Sequence, residues 1–151
     1  MSQPTAPVTA AARRPVIAES GTTRGRRARI ALRTLQVVLA LFYAFASSLP
    51  KLIAHPSAVD SFDKMGWGST GMYVIGALEL AGGIALLIPV LQSVAAVALS
   101  GLMVGAFIVQ LTVFDGENAA TPLILIVPLV LIAWARRRHN ADLLRLVGLR
   151  A

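Results

Sequence analysis

The sequence predicts an all-α integral membrane protein, a bundle of four transmembrane helices with both termini in the cytoplasm. Three observations carry that prediction. Of 151 residues, 56% are hydrophobic and 14% charged, where a soluble domain carries about a quarter charged. The mean hydropathy is +0.73. The apolar residues are gathered into four blocks, about 30–49, 71–88, 93–113 and 121–135, whereas the helices of a solvated globule need polar faces.

Residues 1–28 are rich in Pro, Ala, Thr, Ser and Arg without apolar periodicity, and read as a disordered basic tail. The membrane domain then runs over 29–138. Its first block, 30–49, has the roughly 20 residues a helix needs to cross hydrocarbon. Ala44-Phe45-Ala46 resembles a signal-peptidase site, but the segment before the apolar run is too long for an ordinary signal, and three more apolar blocks follow.

The connection 50–70 has an apolar side made by Val59, Phe62, Met65 and Trp67, and predicts a short interfacial helix near 57–65. Trp67 and Tyr73 suit headgroup level, where amphipathic aromatics concentrate. Block two is broken only by Glu79, and Pro89 to Ser93 make a tight turn into block three. Gly101 and Gly105 there form a small-xxx-small pair, and Gly82-Gly83 lie in block two; both pairs read as helix-packing positions. Block four follows the acidic loop 114–118, with Pro122 in its first turn and Pro128 inside it. Residues 139–151 alternate Leu and Val with Arg, as a short amphipathic tail on a membrane surface would.

The net charge of +7 and pI of about 11.3 would suggest nucleic acid in a soluble protein. Here the arginines flank apolar blocks, so nucleic-acid binding is excluded and the lipid bilayer is the expected partner. Seven arginines stand before or in the first turn of block one and five follow block four. The outer connections hold only Lys51 and Lys64 beside four acidic residues. The positive-inside rule therefore places both tails in the cytoplasm.

Glu79 is the costly residue. A carboxylate near the bilayer centre costs roughly 2.5–3.5 kcal/mol on insertion scales, so it is either protonated or paired inside the bundle. Lys51, at the outer end of the first span, is the natural partner, although its separation from Glu79 calls for a bridging water or a backbone offset. Gln110 lies near the outer end of the third block, and Ser47, Ser48 and Tyr73 at similar height. Glu79, Lys51, Gln110, Ser48 and Tyr73 thus form a candidate intramembrane polar pocket open to the outer face, with structural and ligand-binding roles for Glu79 both open. No catalytic residue is assigned. The sequence has no cysteine, and by this topology His55 and His139 lie on opposite sides of the membrane, so no metal site is expected. No phosphate-binding loop or nucleophile elbow is present.

Phe42 to Leu52, ending Ser-Leu-Pro-Lys-Leu, is followed by Phe62-Asp63-Lys64-Met65-Gly66, then Tyr73 to Gly83 with Gly-Ala-Leu-Glu-Leu-Ala-Gly-Gly, then Leu86-Leu87-Ile88-Pro89. This ordered set resembles the DoxX-like family of small bacterial membrane proteins, over roughly residues 33–138. The resemblance implies a four-helix bundle in the bacterial inner membrane. It also implies a non-catalytic anchor or scaffold in a membrane redox or stress-response system, with a redox enzyme as partner. Two alternatives stand beside it. One is a quinone- or lipid-interacting oxidoreductase subunit, with quinone the only cofactor considered. The other is a small transporter built as a homo-oligomer.

Overall fold

A computed structural model of the chain describes residues 19–137 and Gly148. The readings of residues 1–18 as disordered and of 139–151 as amphipathic lie outside these residues, Gly148 apart. All regular structure among the described residues is helical: α1 (Glu19–Leu41), a π-helical segment (Phe42–Ser48), α2 (Leu49–Leu52), α3 (Pro56–Lys64), α4 (Gly68–Leu87), α5 (Gln92–Val113) and α6 (Ala120–Arg136). The chain forms two compact units, Met1–Ala31 and Leu32–Ala151. In the first, α1 already begins at Glu19, ten residues before the sequence ends its disordered tail. Arginine is a good helix former, and Arg29 Nε donates to Gly25 O one turn back at 3.3 Å.

The second unit holds the remaining elements. Three helical stretches are long and apolar enough to cross a membrane: Gly25–Leu52 with 28 residues, Gly68–Leu87 with 20 and Gln92–Val113 with 22. The apolar helix α6 is shorter, at 17 residues. The surface is unlike that of a soluble protein. Phe45, Val97, Ile124, Val127 and Trp134 are exposed, while Gln36, Ser48, Glu79, Gln92 and Ser93 are buried. Apolar surface outside and polar side chains inside is the arrangement a hydrocarbon solvent favours. Continuous helices are what that solvent demands of the backbone.

The core joins Leu39, Ala40 and Tyr43 of the first helical rod to Leu86 of α4, Ala95, Ala96, Leu99 and Met103 of α5, and Leu129 and Ile132 of α6. It sits toward the end where α4 turns into α5. A Cβ built on Gly83 would lie 3.1 Å from Ala40 O and 3.2 Å from Tyr43 Cβ, so this glycine lets α4 meet the first rod. One built on Gly82 would lie 2.6 Å from Leu99 Cδ2, so its neighbour lets α4 meet α5. No such contact involves Gly101 or Gly105: both are exposed, with nothing within 4 Å of a built Cβ. Within this chain they do not pack helices, because they lie off the face of α5 that carries Ala95, Ala96, Leu99 and Met103.

A polar clasp closes the core at the same end. Gln36 Nε2 donates to Leu86 O at 3.5 Å, and Arg136 Nη2 donates to Gln36 Oε1 at 2.9 Å. Ser93 Oγ donates to Ala133 O at 3.2 Å. Leu86 O lies in the last turn of α4, where carbonyls lack a partner within the helix, so Gln36 caps that helix from a neighbouring one. Gln36→Leu should cost about 1–3 kcal/mol, the usual penalty for leaving buried polar groups unpaired. A thermal unfolding curve in detergent checks this. A melting temperature equal to wild type would contradict it.

Candidate functional site

The site begins where the first helical rod changes its winding. Pro50 has no backbone N–H to donate one turn back, and its ring crowds the carbonyl there. The seven residues Phe42–Ser48 just before it are wound as a π-helix, a widened turn found often beside functional residues. Ser48 Oγ turns onto Ala44 O at 2.7 Å, which satisfies that hydroxyl locally. Lys51 follows in α2.

A helical side chain leans toward the N-terminus of its helix, so the Lys51 stem runs back along the rod and not out of it. Its Nζ donates to Ser47 O at 2.8 Å, lies 3.4 Å from Ser47 Oγ, and donates to Glu79 Oε2 at 2.7 Å. The contact is direct, where the sequence left a bridging water and a backbone offset both open. Two features close the gap: the stem turns inward, and Gly76 lets the two backbones approach. A Cβ on Gly76 would lie 2.9 Å from Lys51 Cβ and 3.3 Å from Leu52 Cγ. Lys51 therefore sits beside the middle of α4, one turn from Glu79, and not at a distant helix end.

Glu79 occupies a corner of α4. Met72, Gly76, Glu79, Gly83 and Leu86 are its buried residues, at helical spacing on one face. Ile75, Leu78, Glu79 and Gly82 line a cavity, also at helical spacing, on the adjoining face. Glu79 is the only α4 residue in both sets. It reaches Lys51 on one side and the cavity on the other, and its side chain is 5% exposed against 18% for Lys51.

The cavity has a volume of about 1070 Å³, at the upper end of small-molecule sites, which run to about 1,000 Å³. Its walls are mostly apolar: Phe42 from the π segment, Leu102, Met103 and Ala106 from α5, and Pro122 and Leu125 from α6. α3 covers one end, with Ser61, Phe62 and Lys64 contributing to the lining. Phe62 is buried, and its ring meets Trp67 edge-on at 6.3 Å. His55 starts α3, its Nδ1 accepting from Ser57 N at 3.4 Å. The backbone turns that flank α3 include Ala54 at φ 52 and Gly66 at φ 72. Both are left-handed, a conformation uncommon for alanine. The chemistry on offer is a charge-balanced ion pair at the edge of a large apolar chamber, suited to orienting a lipophilic molecule that has a polar head.

The sequence model of the DoxX-like family matches residues 34–133. The chain belongs to the DoxX-like family. No curated protein and no solved structure matches it. The matched residues of this DoxX-like protein take in the π segment, the Lys51–Glu79 pair and the whole cavity wall, and leave both tails outside.

Of the five polar residues singled out in the sequence, the structure brings Lys51 and Glu79 into contact and sets Gln110 in the wall of the same cavity. Gln110 lies nearer the α5–α6 loop. Its Oε1 is buried without a partner, and its backbone O accepts from Gly116 N at 2.8 Å. Ser48 and Tyr73 do not line the cavity. Ser48 is fully buried and bonded within its own turn. Tyr73 is 43% exposed on the outward face of α4, with Ala77 and Ile84. Equal height in the membrane placed these two with the others, but height leaves the direction around the helix open. Gly76 belongs to the site and was missed; Ser47, placed at the right height, was left out of the pocket and belongs to it. The four-residue spacing from Ser47 to Lys51 was the available signal for Ser47. No metal-binding cluster of His, Cys, Asp or Glu occurs among the described residues.

Proposed function

We propose that this DoxX-like protein is a four-span protein of the bacterial inner membrane, with both termini cytoplasmic, that holds a quinone in its intramembrane cavity. It does so as a non-catalytic component of a membrane redox or stress-response system, beside a redox enzyme that carries out the electron transfer. The observation that carries this reading is the buried Lys51–Glu79 pair facing a cavity of about 1070 Å³. Insertion into a membrane penalises such a pair, and a purely structural anchor would be served as well by apolar packing.

The fourth span in this reading is α6. Its 17 residues extend about 25 Å at 1.5 Å per residue. Arg137 beyond its apolar part can snorkel to the headgroups, and Trp134 is exposed with the Arg137 guanidinium 5.1 Å from its ring, as at an interface. The arginine distribution supports the orientation.

Trp67 lines the cavity and supplies a probe, since quinones quench indole fluorescence. In a Trp134→Phe protein in quinone-free nanodiscs, a benzoquinone should quench Trp67 saturably, and Glu79→Ala should abolish the saturable part. Quenching that stays linear with quinone in the Trp134→Phe protein would refute the reading.

A further inference from the structure

Two kinds of residue line the cavity. Most are buried or half-buried, and the exposed ones fall in two groups: Lys64, Trp67, Glu117, Asn118 and Thr121, in or beside α3 and the α5–α6 loop, and Leu78 on α4 with Ala98, Gly101 and Gly105 on α5. The last four come from facing helices, and three of them lie at helical spacing along one edge of α5. Toward the α4–α5 turn the two helices are in tight contact, where Leu99 fills the notch left by Gly82. Beyond that floor these four exposed residues form the wall between α4 and α5, on the apolar outer surface of the bundle. Glu79 lies about one turn above the floor, and among the described residues its Oε1 accepts no hydrogen bond while Oε2 takes Lys51.

We infer that this wall is the exit for the ligand's hydrocarbon tail: the head lies at Glu79, and the isoprenoid or alkyl tail passes between α4 and α5 across Gly101 and Gly105 into the bilayer. The inference rests on the quinone-binding reading and adds the ligand's shape to it. The glycines then serve as a gap, not as a packing motif. With nothing within 4 Å of a built Cβ at either position, helix packing in this chain does not require glycine there, whereas a tail crossing the gap does require the absence of a side chain. The neutral ion pair suits an uncharged head. Lys51 makes two short bonds, to Ser47 O and Glu79 Oε2, and a long 3.4 Å contact to Ser47 Oγ, so its third hydrogen can turn to a quinone carbonyl, which only accepts, while the pair offers no net positive charge to an anion. The occupant is accordingly a neutral head on a long apolar chain and not a free anion.

The test uses the full chain carrying Trp134→Phe, in quinone-free nanodiscs, with two probes at matched membrane mole fraction. One is a dimethoxy-methyl-benzoquinone ring without a tail; the other is the same ring with a decyl tail. Gly101→Leu and Gly105→Leu should bind the tailed probe about tenfold more weakly, the scale of an overpacked site, and the tailless probe with unchanged affinity. Their melting temperatures should match or exceed wild type. Wild-type affinity of both variants for both probes would overturn the tail path and leave the quinone site standing. Equal weakening for both probes would also overturn it, since the glycines would then shape the head site. Loss of a homodimer on size exclusion, with tailed binding intact, would assign the glycines to a subunit interface instead. Failure of the unsubstituted Trp134→Phe protein to bind either probe would remove the quinone reading and this inference together.

Discussion

Lys51→Met, with Glu79 left in place, should lower the melting temperature in detergent by about 10 °C, and Lys51→Met combined with Glu79→Leu should restore most of it. Removing one partner of a buried ion pair strands the other charge, at about 3–5 kcal/mol, while exchanging the whole pair for apolar side chains is often neutral or stabilising. For a chain of this size each kcal/mol moves the midpoint by about 2–4 °C. The two single variants should differ. Lys51 is 18% exposed at its side chain, keeps its bond to Ser47 O and has a flexible stem, whereas Glu79 is 5% exposed on a short stem. Glu79→Gln should therefore cost less than Lys51→Met. Equal losses, or a double variant as unstable as Lys51→Met, would show that the pair's stability contribution is not set by the stranded carboxylate.

Gly76→Ala should destabilise the protein by about 1–3 kcal/mol, the range for overpacking, and should weaken quinone quenching as well. The added methyl would lie 2.9 Å from Lys51 Cβ, an atom fixed to its backbone, so α2 must move away from α4 and carry the ammonium off Glu79. Gly83→Ala meets the Ala40 carbonyl at 3.1 Å and should cost stability without touching the ion pair. Gly82→Ala has the shortest contacts, 2.6 Å to Leu99 Cδ2 and 2.8 Å to Leu99 Cγ, and Leu99 is fully buried in the core, so it should cost at least as much as Gly83→Ala without touching the ion pair. Gly105→Ala should be neutral or stabilising by up to about 1 kcal/mol, the helix-propensity gain. Melting curves of the four variants give the order, and the quenching assay separates Gly76 from Gly83. A Gly76→Ala protein with wild-type quenching would show that the ion pair tolerates a shift of α2.

Single residues in the sequence announced some of the site and concealed the rest. Glu79 is conspicuous because it stands alone in an apolar block, and Lys51 because it ends another. Their direct contact depended on the π winding ahead of Pro50 and on the missing Cβ at Gly76. Each of these acts between elements. Tyr73 was grouped with the site and the structure turns it outward. Gly101 and Gly105 carry the spacing of a packing motif and pack nothing in this chain.

The sequence by itself determined the solvent and the helices. Long apolar blocks have only one inexpensive environment, and inside it the backbone must satisfy its own hydrogen bonds. The tertiary structure alone decided which faces of those helices meet. α4 is apolar nearly all round, so no polar stripe fixes its rotation. In hydrocarbon, rotation follows close packing at small residues and the pairing of buried polar groups, here Gly76, Gly83 and the Lys51–Glu79 bond. Those are relations between residues far apart in the chain, and from them come the ion pair, the cavity beside it and the gap across Gly101 and Gly105.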